Sequence, residues 1–185
     1  MQKFSVLTIA VAGVLASLSV VADTPPEPSA AARRACSLNG RWCVERQTSP
    51  SNPGQVERLR VVEGGLEKRS DTSWSTSVRV IGSLAVTNDG ACVIDLATGS
   101  NLLSLEKKPD DPAFAIYCKD SAARVLPLRK FIVDFKSLPR STSHRIWAES
   151  FGLDEHDRLV VNTKERRTFL IDPHSGGLIQ GTYAH

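Results

Sequence analysis

Residues 145–185 read RIWAESFGLDEHDRLVVNTKERRTFLIDPHSGGLIQGTYAH, and this stretch decides the fold. Three polar segments, 154–157, 164–167 and 172–177, separate short segments in which apolar side chains recur at every second position. Successive side chains of an extended strand point to opposite faces of a sheet, so this pattern is typical of strands with one buried face. The stretch predicts a meander of four antiparallel strands, the form of one propeller blade or of one sheet of a sandwich.

The N-terminal segment predicts export. Lys3 precedes an apolar run, 4–21, which ends in the small-residue sequence Val20-Val21-Ala22. A basic residue, an apolar core and a small-residue cleavage site are the three regions of a secretory signal peptide, which we place at 1–22. A retained membrane anchor is the alternative, although polar residues dilute the run. We expect a periplasmic or secreted protein with no transmembrane segment after signal removal.

The rest of the chain predicts one β-rich domain. Residues 23–35 are rich in Pro and Ala and are expected to form a flexible leader, and 36–185 has a length suited to a single domain. Further turn signals, Asn39-Gly40 and Asn88-Asp89-Gly90, each precede a short apolar segment. The predicted fold class is all-β, made mainly of antiparallel meanders that form an incomplete propeller-like structure or a sandwich.

One short amphipathic helix is predicted near 127–138. Apolar residues recur there with helical spacing, i, i+3, i+4 and i+7; they are Leu128, Phe131, Ile132 and Phe135. Pro127 suits a first helical turn and Pro139 ends the segment. We expect the apolar side of this helix to pack on a sheet and to link the strands on either side of it.

Four cysteines, at positions 36, 43, 92 and 118, predict two disulfides, because an even number in an exported chain favours disulfides over metal ligation. If Asn39-Gly40 is a two-residue hairpin turn, Cys36 lies opposite Cys43 and within disulfide reach. Cys92 then pairs with Cys118 by elimination. A zinc site needs closer ligands, such as a C-x-x-C pair, and the chain has none.

Charge is uneven along the chain, although the formal net charge is only +3. Between 121 and 145 a single acid, Asp134, accompanies a group of basic residues. We take these as candidate binding residues: Arg124, Arg129, Lys130, Lys136, Arg140 and Arg145. One basic segment in a nearly neutral exported chain favours an envelope protein or an anionic envelope polymer as partner, and disfavours nucleic acid. A solvated face without a partner is the alternative.

Two groups of residues admit a hydrolase as the alternative function. Ser143-His144 places a hydroxyl beside an imidazole, and Asp154-Glu155-His156-Asp157 gathers acids on a turn. The chain lacks the G-x-S-x-G elbow of serine hydrolases, and the acidic turn lacks the spacing of a calcium loop. We therefore predict no catalytic residue, no metal and no cofactor, and keep His144 and the Asp154–Asp157 turn as the hydrolase alternative.

Several short motifs in the second half resemble those of a protein family. They are Asn88-Asp89-Gly90, Asn101-Leu102-Leu103, the segment ending at Leu138, Ser143-His144-Arg145-Ile146-Trp147, and the strand and turn at 168–176. Over roughly 83–177 the chain resembles uncharacterised exported bacterial β-rich proteins with propeller-blade-like repeats. The resemblance implies a β-rich exported domain and no particular activity. The predicted function is a non-enzymatic protein-binding or envelope-associated domain, with an inhibitor or immunity-type protein as its sharper form.

Overall fold

The computed structural model describes residues 34–47, 57–64, 74–78, 82–97 and 101–183. The predicted signal peptide, 1–22, and the predicted leader up to residue 33 lie outside the described residues. The first described strand begins at Arg34.

Three four-stranded antiparallel sheets follow one another along the chain. Sheet 1 contains β1 (Arg34–Cys36), β2 (Trp42–Gln47), β3 (Glu57–Glu63) and β4 (Trp74–Val78). Sheet 2 contains β5 (Ser83–Val86), β6 (Cys92–Leu96), β8 (Pro112–Cys118) and β9 (Arg124–Pro127), and β7 (Leu102–Ser104) pairs separately with β10 (His144–Ile146). Sheet 3 contains β11 (Ala148–Leu153), β12 (Leu159–Thr163), β13 (Arg167–Ile171) and β14 (Leu178–Tyr183). Neighbours in each sheet are consecutive along the chain apart from the excursion through β7, so the prediction of an all-β fold made mainly of antiparallel meanders is confirmed.

Sheet 3 has the strand order that its sequence pattern predicts. Leu159 and Val161 of β12 are buried, as are Phe169 and Ile171 of β13, so the alternating residues share one covered face. The turns between these strands reach the left-handed region at Asp157 (φ 60°), in the loop before β12, and at Arg166 (φ 58°), in the loop before β13. The meander predicted from 145–185 is therefore confirmed.

Sheet 2 is the middle layer of the molecule. Its strand β6 is buried at every position, because alternate residues face different cores. Val93 belongs to a small core shared with Val44, Leu59 and other apolar residues of sheet 1. Ile94 belongs to a larger core shared with sheet 3. Burial on both faces explains why β6 has apolar residues at consecutive positions, Cys92, Val93 and Ile94, ahead of the buried Asp95.

The larger core is organised around aromatic rings. Phe131 makes edge contacts with Phe114 of β8 and Phe169 of β13, at centroid distances of 5.2 and 5.3 Å. Trp147 lies beside the same group, 6.1 Å from Phe131 and stacked on Phe151 at 5.6 Å. Phe131 comes from the segment after β9 and therefore joins sheets 2 and 3.

The predicted amphipathic helix at 127–138 is wrong. A single 3₁₀ turn, Leu128–Lys130, is followed by turns and irregular chain up to residue 139. The backbone N–H groups of Val133 and Asp134 donate to the carboxylate of Glu165, at 3.0–3.1 Å, instead of to carbonyls one turn earlier. The Asp134 side chain also accepts the N–H of Lys136, a local bond that competes with helix formation.

The apolar residues of this segment are nevertheless buried as expected. Leu128, Phe131 and Ile132 are 0–2% exposed, and Phe135 packs against the same core. The segment links sheets 2 and 3 without forming a helix. Apolar residues three and four positions apart are also buried together when an irregular chain folds back over an aromatic core.

Both predicted disulfides, Cys36–Cys43 and Cys92–Cys118, are present. Each joins directly opposed residues of neighbouring antiparallel strands. The predicted two-residue turn at Asn39-Gly40 is wrong, because the Gly40 N–H donates to the Ser37 carbonyl at 2.9 Å and closes a longer loop. The register is unchanged, since both loops are centred between residues 39 and 40.

Candidate functional site

Residues 131–138, which we call the tip, form a fixed loop with an exposed aliphatic side chain. The Val133 side chain is exposed, at 74% relative accessibility, whereas its neighbours Phe131 and Ile132 are buried. The Glu165 carboxylate holds the backbone N–H groups of Val133 and Asp134. The buried Phe131 and Ile132 and the Glu165 carboxylate therefore fix the main chain that carries the exposed Val133 side chain.

Two basic residues of this segment are placed differently, Arg129 before the tip and Lys136 within it. Arg129 forms an exposed ion pair with Asp110, and its backbone N–H donates to the Pro109 carbonyl at 2.8 Å. Lys136, within the tip, is exposed, and its backbone N–H is bonded to Asp134. Because Asp110 neutralises Arg129, the net charge beside the tip is smaller than the count along the chain implies.

Arg124 and Lys130 meet at one turn of sheet 3. Arg124 donates from Nη1 to the Pro173 carbonyl at 3.3 Å, and Lys130 donates from Nζ to the Gly176 carbonyl at 3.4 Å. Gly176 has φ of +68°, and a Cβ built there would lie 3.0 Å from Cδ of Arg124. The carbonyl groups of this turn therefore bind both cations, and Arg124 can approach the turn because Gly176 has no side chain.

Arg140 and Arg145 face each other across an isolated antiparallel bridge. Arg145 lies in β10, opposite Leu103, and donates from Nη1 to the Leu105 carbonyl at 2.8 Å. Four of the six basic residues therefore form two pairs, Arg124 with Lys130 and Arg140 with Arg145. Arg129 is held by a separate acidic loop, and Lys136 lies within the tip. This acidic loop, 105–111, lies between β7 and β8, and its pairing of Asp110 with Arg129 was not predicted from the sequence.

The residues of the hydrolase alternative lie in two environments. His144 accepts or donates at Nδ1 in a 2.8 Å hydrogen bond with Ser143 Oγ, and it stands opposite Ser104 in the β7–β10 pair. Asp154 Oδ1 accepts the backbone N–H groups of His156 and Arg158. Hydroxyl and imidazole are thus adjacent at His144, whereas Asp154 accepts hydrogen bonds within its own turn and Asp157 accepts one from the Asn88 N–H.

Burial alone raises the pKa of Asp154, but hydrogen bonds outweigh it. The Arg158 side chain and the backbone of Arg158 and His156 hold the pKa of Asp154 below its ordinary value. Asp172 behaves in the same way. Burial raises its pKa, but the Ser175 hydroxyl, the His174 N–H and the His174 charge together lower the pKa by more, so that it lies below its ordinary value. Both carboxylates are therefore ionised acceptors that shape their turns.

Turns from all three sheets meet at Asn88. The Asn39 N–H donates to Asn88 Oδ1 at 2.9 Å, and the Asn39 side chain donates to the Asn88 carbonyl at 3.1 Å. The Asn88 N–H donates to Asp157 Oδ1 at 2.7 Å. The polar turns that precede β2, β6 and β12 are visible in the sequence, but their meeting at Asn88 was not predicted.

A small cavity lies on sheet 1, apart from the tip. Its volume is about 280 Å³, and it is lined by Gln47, Arg58, Arg60, Trp74 and Ser75. Arg58 donates from Nε and Nη2 to Ser75 Oγ, which fixes one of the two guanidinium groups. No part of the sequence prediction pointed to these residues.

The two disulfides indicate the kind of environment in which the chain folds. The two disulfides are typical of a chain that folds in an oxidising, extracellular environment. Over the described ranges, no helix is long and apolar enough to cross a membrane. The same residues contain no group of three or more His, Cys, Asp or Glu side chains that could hold a metal ion.

Neither a protein-family model nor a curated protein sequence matches the chain. A solved structure, the crystal structure of HIRA(644-1017), is similar at 12% identity with a TM-score of 0.28, covering 79% of this chain and 54% of that one. The chain thus spans about half the length of the HIRA fragment. The resemblance to exported bacterial proteins with blade-like repeats stays a prediction.

Proposed function

We propose that this protein is an exported, non-enzymatic domain that binds another macromolecule of the cell envelope. An inhibitor or immunity protein that blocks an envelope enzyme is the sharper form of the same role. The tip and the basic residues beside it form the proposed contact surface. Periplasmic or secreted localisation is part of the proposal, and it is supported by the two disulfides together with the predicted signal peptide.

The observation that carries the proposal is the fixed exposure of Val133. An aliphatic side chain at 74% exposure is displayed on a main chain that Glu165 holds through two N–H groups. A preorganised loop loses little conformational entropy when a partner covers it, so more of the contact energy appears as affinity. An apolar residue ringed by polar and charged groups is the usual composition of a small protein-binding surface.

The neighbouring cations favour an anionic partner surface. Lys136 lies within the tip, and Lys130 lies immediately before it and close to Arg124 through the 172–177 turn. Such charges accelerate encounter with an acidic surface and repel a cationic one. A strongly basic cell-wall hydrolase is therefore a poor target, and an acidic envelope protein is a better one.

Capture from an envelope extract, followed by mass spectrometry, tests the proposal. The wild-type protein is compared with Val133→Ser and with the matched control Leu38→Ser, since Leu38 is also an exposed aliphatic residue, at 66% exposure, but lies on the first hairpin. We expect a specific protein that is recovered with wild type and with the control and is lost with Val133→Ser. With the purified partner, the loss in affinity should be about tenfold, as for one buried aliphatic side chain. Equal recovery with all three proteins contradicts the proposed surface.

The salt dependence of binding separates a protein partner from an anionic polymer. Binding to a polymer through Arg124, Lys130 and Lys136 should weaken steeply between low and high ionic strength and should be insensitive to Val133→Ser. Binding to a protein should retain its dependence on Val133 at high salt, because apolar burial is not screened.

A hydrolase is the second candidate, and one observation favours it. The 2.8 Å hydrogen bond between Ser143 Oγ and His144 Nδ1 has the length needed for a base to activate a hydroxyl. Hydrolysis of generic ester or amide substrates that disappears in both Ser143→Ala and His144→Gln would support this function. Activity that survives either substitution would assign the hydrolysis to other residues.

A further inference from the structure

The Cys92–Cys118 disulfide lies among polar and charged groups. His174 approaches it from the 172–177 turn, with Nδ1 at 3.6 Å from Cys92 Sγ. The other ring nitrogen, Nε2, lies 3.3 Å from Asp89 Oδ2. A carboxylate, an imidazole and a sulfur are thus aligned in the order used by enzymes that activate a thiol.

Two further groups surround the partner sulfur. Arg124 Nη1 lies 3.9 Å from Cys118 Sγ, and the Pro173 carbonyl oxygen lies 3.5 Å from it. Cys92 is fully buried, whereas Cys118 is partly exposed. An incoming thiolate therefore reaches Cys118 more readily and finds a positive charge beside it.

Hydrogen bonds on both sides hold the imidazole in place. Asp172 accepts the His174 N–H at 2.9 Å and the Ser175 hydroxyl at 2.7 Å, which fixes the turn that carries the ring. Asp89 Oδ1 accepts the Thr87 hydroxyl and the Ala91 N–H, so that Oδ2 is left to face His174. The ring position is therefore determined by two turns from different sheets.

From this geometry we propose that Cys92–Cys118 is a thiol–disulfide exchange site, with His174 as the acid–base group, Asp89 as its positioning residue and a thiol as the co-substrate. This activity goes beyond the proposed binding function and does not depend on it. The Cys36–Cys43 disulfide has no part in it.

The exchange proceeds in two steps. A thiolate attacks Cys118 Sγ and forms a mixed disulfide, while the bond to Cys92 breaks and its electron pair goes to Cys92 Sγ. The imidazolium form of His174 transfers its Nδ1 proton to that sulfur, and the Asp89 carboxylate stabilises the charged ring before the transfer. A second thiolate then attacks the external sulfur and releases Cys118 as a thiolate. Two thiols are thereby oxidised to one disulfide, and the protein disulfide is reduced by two electrons.

The chain contains its own reference for the test. Cys36 is exposed, so accessibility alone predicts that Cys36–Cys43 is reduced before Cys92–Cys118. The purified oxidised protein is exposed to reduced glutathione near neutral pH, the free thiols are alkylated at intervals, and peptide mass spectrometry gives a rate for each disulfide. A reduced protein dithiol of the thioredoxin class, used at the same thiol concentration, shows whether a small or a protein thiol is the faster donor.

We expect Cys92–Cys118 to be reduced faster than Cys36–Cys43 in wild type. His174→Gln should slow its reduction by about tenfold, below the full effect of an enclosed acid because the ring is half exposed. Asp89→Asn keeps the Oδ1 acceptor of its turn and should give a smaller loss, while the control His156→Gln, on another turn, should change neither disulfide.

An unchanged Cys92–Cys118 rate in His174→Gln overturns the proposal, and so does faster reduction of Cys36–Cys43 than of Cys92–Cys118 in wild type. A change of the same direction and size in the rates of both disulfides also overturns it, since this indicates a change in overall stability or access. The Cys36–Cys43 rate in each variant therefore reports on folding within the same sample.

Discussion

Replacing Gly90 by Ala should damage the contact between sheets 1 and 2 far more than the equivalent change in the first hairpin. Gly90 is buried and has φ of +71°, and a Cβ built on it would lie 2.2 Å from Cδ2 of Trp42. The indole of Trp74 donates from Nε1 to the Gly90 carbonyl at 2.8 Å, so this short turn is held between two tryptophans of sheet 1. A methyl group fits there only if Trp42 or the turn moves.

Gly40 provides the matched control, because its φ is +69° and nothing lies within 4 Å of a Cβ built on it. The left-handed conformation costs an L-residue about 1–2 kcal/mol at either position. Overpacking against Trp42 adds about 1–3 kcal/mol at Gly90 alone. Gly90→Ala should therefore lower the free energy of unfolding by about 2 kcal/mol more than Gly40→Ala.

Urea unfolding of the oxidised proteins, followed by tryptophan fluorescence, measures both changes. Equal losses for the two variants would refute the reasoning, because they would show that the Trp42 contact contributes nothing beyond the backbone conformation. A loss confined to Gly40→Ala would refute it as well.

Three further changes test contacts that fix the turns. Glu165→Ala removes the acceptor of two N–H groups at the tip and should lower the unfolding free energy by about 2 kcal/mol, whereas Glu165→Gln keeps an amide oxygen and should lose less in the same urea assay. Asp157 has φ of 60° and accepts the Asn88 N–H, so Asp157→Ala should cost about 2 kcal/mol and Asp157→Asn close to nothing, and equal losses would contradict the assigned contact. Although burial raises the pKa of Asp154, its hydrogen bonds leave that pKa lowered, so its stabilisation is present above the ordinary value of 3.8 and is lost as the pH falls through the lower folded-state value. The fall in Tm on acidification should thus be smaller in Asp154→Asn than in wild type.

Patterns with one structural solution were predictable from the sequence. Apolar residues at alternate positions in β12 and β13 left one way to cover them, so the meander of sheet 3 was predicted correctly. The pairing of Cys36 with Cys43 was correct although the turn between them was not. A hairpin centred between Asn39 and Gly40 places the same residues opposite each other whether its loop has two residues or four.

The helix prediction failed because spacing does not identify the acceptor of a backbone N–H. Leu128, Phe131 and Ile132 are buried as a helix would bury them, but Glu165, more than 30 residues further along the chain, captures the N–H groups of Val133 and Asp134. A carboxylate satisfies those donors strongly, and the helical bonds are then unnecessary. No local pattern in the sequence records that contact.

The charged residues of the candidate sites depended on tertiary contacts for the same reason. Arg129 counted toward a basic segment until Asp110, from the loop before β8, was placed beside it. His174 stood in an ordinary turn sequence, and its role as a neighbour of Asp89 and Cys92 arises where sheets 2 and 3 meet. The residue types in a sequence indicate which reactive and charged groups are available, but the packing of the sheets determines which of those groups lie in contact.

The tip and the exchange site depend on different turns of sheet 3, and this separation allows each proposal to fail alone. Val133 is held by Glu165, from the turn between β12 and β13, whereas His174 lies in the turn between β13 and β14. Glu165→Ala should therefore weaken capture of a partner and leave the reduction rate of Cys92–Cys118 unchanged. His174→Gln should do the reverse, because the ring makes no contact with the tip among the described interactions and its loss leaves the Glu165 bonds in place. A variant of either residue that altered both readouts would show that the two turns move together, and the rigid presentation of Val133 would then need another explanation.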